Sequence, residues 1–248
     1  MKLKVIGCTS SGNAFLLEHG GSSLLLDAGV SYKKIIEATG YNPDKIFAAL
    51  ITHEHADHSR ACHELDRNGI PLIMTQGTAS AVSSGRPLAY AKIQNTQKIM
   101  QKPWAIMAFA VQHDANEPVG FLIKHDDADN VICYIPDNGY SRYTPVGLTD
   151  LIIECNYIDE KLQEYLDSGL EHALEHYKRL KSNHMSLERT YRQIKLMDRS
   201  RLQRIILTHL SDINSDEKQM VESLTGAFNV SVQATTDGTE IDLNLCPF

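Results

Sequence analysis

The hydrophobic positions in the first third of the chain form short runs separated by turn residues. Such runs are typical of β-strands when glycine, serine, asparagine or aspartate bounds them. The first two runs flank the turn sequence TSSGN at positions 9–13, and the next run stops at the sequence DAG at positions 27–29. The predicted strands are residues 2–7, 14–18, 23–26, 46–52 and 71–74, and helices are predicted near residues 31–39 and from residue 58 to residue 68.

The middle of the chain, residues 88–153, is rich in predicted strands. Between two of them, the polar stretch 125–130 predicts a solvated hairpin tip. Apolar side chains then recur near a helical period over residues 159–180, so one face of that segment should be buried.

The last quarter alternates helix and strand. Ser186 is predicted to cap a helix that runs to Met197, and residues 205–208 form another predicted strand. Asn214, with a glutamate three residues later, has the spacing of a capping box for a helix that stops at Gly226. This order of elements predicts an α/β protein in which two packed β-sheets carry outer helices, as an αββα sandwich, and residues 1–248 as a single domain.

Composition is that of an ordinary soluble globular protein. With 42% hydrophobic and 22% charged residues, the chain is not expected to be disordered. It lacks an apolar run of about 18 residues, and its start reaches a Gly/Ser turn too soon for a signal peptide. We therefore expect a cytoplasmic protein without membrane association.

Net charge and cysteine content restrict the substrates and the kinds of metal site that are expected. The formal net charge is −7, which disfavours a long groove that follows a nucleic-acid backbone and favours a small or short substrate. The five cysteines are odd in number and lack a C-x-x-C pair, so neither a disulfide framework nor a thiolate zinc site is predicted. They are Cys8, Cys62, Cys133, Cys155 and Cys246.

The candidate chemistry lies in the segment from His53 to His58, directly after a predicted buried strand. In an extended chain, His53 and His55 place their imidazoles on the same side, whereas a helix would separate them. Asp57 and His58 follow where the next helix is predicted to begin. Imidazole and carboxylate suit zinc, and also manganese or iron, so the segment predicts a metal site. It is not the metalloprotease motif, because Asp57 occupies the place of the second histidine.

The pattern His53-x-His55-x-Asp57-His58 resembles the signature of the metallo-β-lactamase superfamily. Taken alone, a histidine after a strand is more often a satisfied core or surface residue, and an aspartate before Asn-Gly is typical of a turn. Four further positions nevertheless resemble family motifs in the same order along the chain. These are Asp27, which in the family supports the loop without binding metal, and the ligands His113, Asp137 and His209.

The resemblance implies a centre of two divalent ions, with Zn²⁺ favoured and Mn²⁺ as an alternative. Ions about 3.5 to 4 Å apart share one water and present it as hydroxide to an electrophile. Asp57, besides binding metal, would orient that hydroxide as a catalytic residue. The resemblance assigns the first ion to His53, His55, His113 and Asp137, and the second to Asp57, His58, Asp137 and His209.

Within the superfamily, three segments resemble the branch of the WalJ/YycJ-like and RNase Z-like proteins: residues 7–13, 113–121 and 183–186. His184 resembles the histidine that contacts the scissile phosphate or protonates the leaving oxygen in phosphodiesterases of this branch. A polar residue at a helix entry is the simpler interpretation of His184. The resemblance also implies a homodimer.

A nucleotide phosphodiester is therefore the expected substrate. The acidic net charge places small 3',5'-cyclic mononucleotides first, as for the phage anti-Pycsar phosphodiesterases, which share these motifs and act in the host cytoplasm. A 5'-3' exonuclease acting on single-stranded DNA is the alternative, and the basic region 178–204 favours it unless that region is merely a solvated helix face. Thioester or lactone hydrolysis and a catalytically idle binding module are further alternatives. Tyr140, Tyr143 and Tyr157 lie near the expected rim, where they could stack on a base or simply pack.

Overall fold

Fourteen strands make up the β-structure of the computed structural model, which describes residues 1–244, and they belong to two seven-stranded sheets. The predicted architecture of two mixed sheets with helices is confirmed. The strands are β1 (Lys2–Thr9), β2 (Gly12–His19), β3 (Ser22–Leu26), β4 (Ile46–Leu50), β5 (Leu72–Met74), β6 (Tyr90–Lys92), β7 (Lys98–Gln101), β8 (Trp104–Ala110), β9 (Val119–His125), β10 (Val131–Ile135), β11 (Asp150–Glu154), β12 (Arg204–Thr208), β13 (Ser231–Ala234) and β14 (Glu240–Asp242).

Helices connect many of these strands, and a short 3-10 turn spans Pro43–Lys45. Within the described residues, none of the helices has both the length and the apolar content needed to span a bilayer. The helices are α1 (Tyr32–Ala38), α2 (Ala56–Ser59), α3 (Cys62–Arg67), α4 (Gln76–Ser83), α5 (Asp159–Asp167), α6 (Ala173–Asn183), α7 (Leu187–Leu196) and α8 (Glu217–Phe228).

The chain divides into two compact units. Unit 1 comprises residues 1–110, 115–130 and 236–248, and unit 2 comprises residues 111–114 and 131–235. This division leaves untested the prediction that residues 1–248 act as a single domain.

Unit 1 contains the whole first sheet, in the order β14-β1-β2-β3-β4-β5-β6. The chain reverses direction between β1, β2 and β3, and then runs parallel from β3 to β6. The leucines of β3 and the alanines of β4 are buried, as expected for strands covered on both faces. Because Leu26 pairs with Leu50, the two parallel strands end side by side. The residues that follow each strand therefore meet at one edge of the sheet.

Unit 2 contains β10 to β13, which all run parallel. Ile135 pairs with Ile153, and Glu154 pairs with Thr208, so the carboxyl ends of three neighbouring strands lie at one edge. Such an edge is where open parallel sheets of α/β proteins usually place their ligands.

Two predicted helices are each divided in the structure. The helix expected over residues 58–68 begins earlier, at Ala56, and breaks because the N–H of Ala61 donates to the carbonyl of Ala28. The helix expected over residues 159–180 breaks at Gly169 and His172, both of which have a left-handed backbone conformation. The break turns Leu170 and Leu174 outward, where 58% and 52% of their surfaces are exposed, so their predicted burial was wrong.

Two other local predictions also need correction. The cap of α8 is Asp216, whose side chain accepts the N–H of Gln219, and the helix continues past Gly226 to Phe228. Asn214 is instead buried outside the helix. His125 is not part of a solvated hairpin tip, because it ends β9 and packs between the rings of His19 and Trp104.

Cys8, Cys62, Cys133 and Cys155 are buried thiols, and none forms a disulfide among residues 1–244. Burial raises the pKa of the Cys62 and Cys133 thiols, which keeps them protonated. Cys246 lies outside the described residues.

Gly29 allows two segments of unit 1 to approach each other closely. A Cβ atom at Gly29 would overlap the carbonyl oxygen of Asp57, and one at Gly12 would lie 2.6 Å from the carbonyl oxygen of Gly29. Only glycine therefore fits at these two positions without a shift of the backbone.

We expect Gly29→Ala to destabilise the protein by about 1 to 3 kcal/mol or more, because overpacking forces the Asp57 backbone away. Urea denaturation measures this loss. Gly226→Ala is the matched control, since Gly226 lies within α8 with no atom near its added Cβ, and alanine there should be neutral or stabilising. A Gly29→Ala variant as stable as the parent chain would contradict the prediction.

Candidate metal centre

The three histidines that follow β4 come together in unit 1. His53 is buried, and its Nε2 lies 3.1 Å from Nδ1 of His55. His58 lies in the first turn of α2, and the centroid of its ring is 4.2 Å from the centroid of the His53 ring. Asp57 places a carboxylate oxygen 3.5 Å from Nε2 of His58. Four nitrogen and oxygen donors are thus gathered where β4 ends and α2 begins.

Asp27 holds the segment from Thr52 to His58 in place through hydrogen bonds, the supporting role that the family resemblance implied. It follows β3, is fully buried and has a left-handed backbone with a φ of 57°. Its carboxylate accepts the N–H of Thr52 at 2.8 Å and the Thr52 hydroxyl at 2.9 Å. Its other oxygen lies 2.8 Å from Nδ1 of His58.

This contact sets the tautomer of His58. A carboxylate that accepts from Nδ1–H leaves the lone pair of Nε2 available, which is the usual arrangement for a histidine that binds metal. Nε2 also lies 3.2 Å from the side-chain nitrogen of Asn13, a donor that matches an acceptor lone pair. The donor set therefore fits a divalent ion at His58.

His113 has the corresponding arrangement in unit 2. Its Nδ1 lies 3.1 Å from the carbonyl oxygen of Asn183, which accepts the ring N–H and frees Nε2. Nε2 lies 3.8 Å from a carboxylate oxygen of Asp137. Burial lowers the pKa of His113, although the carboxylates of Asp137 and Glu154 act in the opposite direction. The neutral imidazole that a metal requires is thereby favoured.

A second group of donors lies at the carboxyl edge of the parallel strands of unit 2. It consists of Asp137, Glu154, His184 and His209, all buried, with ligand atoms within 4.8 Å of one another. Asp137 forms a close contact with Nδ1 of His209. His209 itself has a left-handed φ of 57°, so its ring position depends on a backbone conformation that L-residues rarely adopt.

Glu154 was not predicted from the sequence as a residue of the site. This glutamate is fully buried at the end of β11, with one carboxylate oxygen 2.5 Å from Nδ1 of His184. Its other oxygen accepts the backbone N–H of Asn138 at 2.8 Å. The signal in the sequence was an acid that ends an otherwise apolar strand, the same signal that Asp27 gives after β3.

The Glu154 carboxylate governs the protonation of His184. Burial lowers the pKa of His184, but the charge and hydrogen bond of Glu154 raise it more, with a further contribution from Asp137, to about 9. An imidazole with that pKa carries a proton at neutral pH. His184 can therefore donate a proton from Nε2 while Glu154 holds Nδ1.

Most positively charged side chains of the basic region 178–204 form hydrogen bonds or ion pairs within unit 2. Arg189, for example, donates to the carbonyl oxygens of Lys181 and His184. Tyr157 is buried and does not lie at a rim, whereas 44% of Tyr140 is exposed. The ion pairs in this region are Lys181–Asp159, Arg192–Glu188 and Arg204–Asp150.

Among curated proteins, the chain is similar to two kinds of exodeoxyribonuclease. It is 32% identical over 178 residues to exodeoxyribonuclease WalJ of Streptococcus pneumoniae, covering 65% of each protein. It is 25% identical over 179 residues to exodeoxyribonuclease YycJ of Bacillus anthracis, covering 66% of each. The chain thus spans about two thirds of the length of these relatives.

Solved structures share its fold at low sequence identity. The metallo-β-lactamase fold protein YhfI of Bacillus subtilis has a TM-score of 0.72 at 18% identity, with 97% of this chain and 98% of that chain covered. Human tRNase Z, short form, has a TM-score of 0.68 at 16% identity, with 99% and 100% covered. A diphosphatase of the PhnP family has a TM-score of 0.70 at 15% identity, with 99% and 98% covered.

The family model of the β-lactamase superfamily domain matches residues 23–210, a span that contains every candidate ligand named above. The chain belongs to the metallo-β-lactamase superfamily.

Proposed function

We propose that the chain is a metal-dependent phosphodiesterase that removes nucleotides from the ends of single-stranded DNA. The buried hydrogen bond between His184 and Glu154 carries the proposal, because it favours an imidazole that keeps a proton, and a phosphodiester has a poor leaving oxygen that needs one. The 32% identity to an exodeoxyribonuclease supports DNA as the substrate. This reverses the order expected from net charge alone.

We infer that the chain holds two divalent ions. The second-sphere contacts of His58 and His113, each with Nδ1 toward an acceptor, support this inference. When bound, such ions supply an activated water and neutralise charge on the substrate oxygens. The donors are nitrogen and oxygen only, which suits Zn²⁺ and Mn²⁺ alike. The proposed ligands are those named from the sequence: His53, His55, Asp57, His58, His113, Asp137 and His209.

Three side chains of the protein are proposed to have separate roles in the reaction. Asp57, of which 21% of the side chain is exposed, is proposed to orient the attacking water. His184 is proposed to contact the scissile phosphate and to pass the proton on Nε2 to the departing oxygen. Glu154 keeps its hydrogen bond to Nδ1 throughout, so it acts as a positioning residue and not as a catalytic one.

Small 3',5'-cyclic mononucleotides are the second candidate. The observation that favours them is the engagement of Lys181, Arg192 and Arg204 in ion pairs, which removes cations from a long phosphate-binding surface. The homodimer and the cytoplasmic location expected from the sequence stay predictions.

A substrate panel with metal-loaded protein tests the proposal. We expect mononucleotides to be released from the end of labelled single-stranded DNA, EDTA to stop the release, and Zn²⁺ or Mn²⁺ to restore it. DNA circles without ends are the matched control. Hydrolysis of cyclic mononucleotides with linear DNA intact would establish the second candidate instead. Hydrolysis of only a thioester or a lactone would overturn both.

A further inference from the structure

Asn156 links the segments that carry His184 and His209. It lies two residues after Glu154, and only 4% of it is exposed. Its side-chain NH₂ donates to the carbonyl oxygen of His209 at 2.8 Å. Its backbone N–H donates to the carbonyl of Met185, and its own carbonyl accepts the N–H of Ser211, both at 2.8 Å. One residue thus joins three segments at the carboxyl edge of unit 2.

The bond to His209 matters because of the backbone there. A left-handed conformation is unfavourable for an L-residue, and it persists only where the surroundings determine it. The His209 carbonyl points to the Asn156 amide, and the Thr208 carbonyl accepts the N–H of Cys155 at 3.0 Å. Residues 155 and 156 therefore hold the peptide groups before and after the Cα atom of His209.

The oxygen atom of the Asn156 amide does not explain why an asparagine occupies this position. Its Oδ1 is buried and has no hydrogen-bond partner among residues 1–244. A buried acceptor without a partner is unfavourable, so the Oδ1 atom gives no reason for an asparagine at this position. The feature that an apolar side chain could not supply is the donor to His209.

We propose that Asn156 is a positioning residue that fixes His209 in the orientation from which its imidazole reaches the metal centre. The proposal rests on the proposed function, because it assigns His209 to the metal. It concerns a residue that contacts neither the substrate nor the ions.

Asn130 provides a matched control. It is also 4% exposed, and its side-chain NH₂ also donates to a backbone carbonyl, that of Leu243, at 2.8 Å. It belongs to unit 1 and is not among the proposed ligands. Asn156→Ala and Asn130→Ala therefore each remove a buried hydrogen bond from a side-chain NH₂ to a backbone carbonyl, and only the first of these carbonyls belongs to a proposed ligand.

The test measures Zn²⁺ affinity by competition with a chromophoric chelator, and the free energy of unfolding of the metal-free protein by urea. We expect both variants to lose stability, and only Asn156→Ala to bind Zn²⁺ about 10- to 100-fold more weakly. Equal affinity of Asn156→Ala and the parent chain would overturn the proposal, and so would an equal loss in Asn130→Ala.

Asn156→Leu serves as the second variant, because its side chain branches at the same carbon as that of asparagine and lacks the donor without adding a charge. It should show the same loss of Zn²⁺ affinity, and it decides the question alone if Asn156→Ala does not fold. A parent chain that binds no metal would instead contradict the proposed function. The two failures are therefore distinguishable without any measurement of activity.

Discussion

Alanine in place of Asp137 is expected to lower kcat/KM on the DNA substrate by at least about a thousandfold, or about 4 kcal/mol in transition-state stabilisation. Asp137 is 3% exposed, contacts His209 directly and lies 3.8 Å from Nε2 of His113. Its loss should therefore release at least one of the two ions.

The metal content of the dialysed variant, measured by mass spectrometry, checks the cause. We expect about two ions per parent chain and fewer in Asp137→Ala. Asp44→Ala removes an exposed acid from the 3-10 turn and should change neither value. Full metal content together with full activity in Asp137→Ala would show that the ligand assignment is wrong.

Replacement of His184 by alanine has the second largest expected effect, a fall in kcat of about a hundredfold to ten-thousandfold. The variant should still bind metal, because His184 is proposed to act on the leaving oxygen and not on the ions. Glu154→Gln should also lower kcat, since the neutral amide no longer favours the imidazolium. His172→Ala and Glu160→Gln, both on exposed side chains of unit 2, are the controls.

The pH dependence of activity separates the role of His184 as proton donor from the role of Glu154, which raises the pKa of His184. A general acid works while it is protonated, so activity should be present below the pKa of His184 and fall as the pH rises through about 9. In Glu154→Gln, burial remains and the largest opposing cause is gone, so the alkaline fall should move to lower pH. An alkaline limb at the same pH in both proteins would assign the proton to another group.

The candidate ligands after β4 could be predicted because they lie close together along the chain, whereas the more distant candidates were implied by the family resemblance. His53, His55, Asp57 and His58 follow one buried strand, and the structure gathers them as that spacing requires. The supporting role of Asp27 was implied by the family resemblance, and the pairing of Leu26 with Leu50 explains its contact with Thr52.

The supporting residues could not be predicted in the same way, because their roles depend on contacts between distant positions. Glu154 lies 30 residues from His184, and Asn156 lies 53 residues from His209. Nothing local distinguishes an asparagine that holds a carbonyl from one that begins a turn. The left-handed backbone at His172, which divides the predicted helix of residues 159–180, likewise has no simple local signature.

The parallel strands β10, β11 and β12 have a consequence for how this protein can change during evolution. The candidate residues lie at or after the carboxyl ends of three strands: Asp137 after β10, Glu154 as the last residue of β11 and His209 after β12. Because Asn156, on the connection after β11, bonds to the backbone of Met185, His209 and Ser211, an insertion in one of these connections would displace the others. Inherited variation in length is therefore expected to accumulate in loops that lack such bonds.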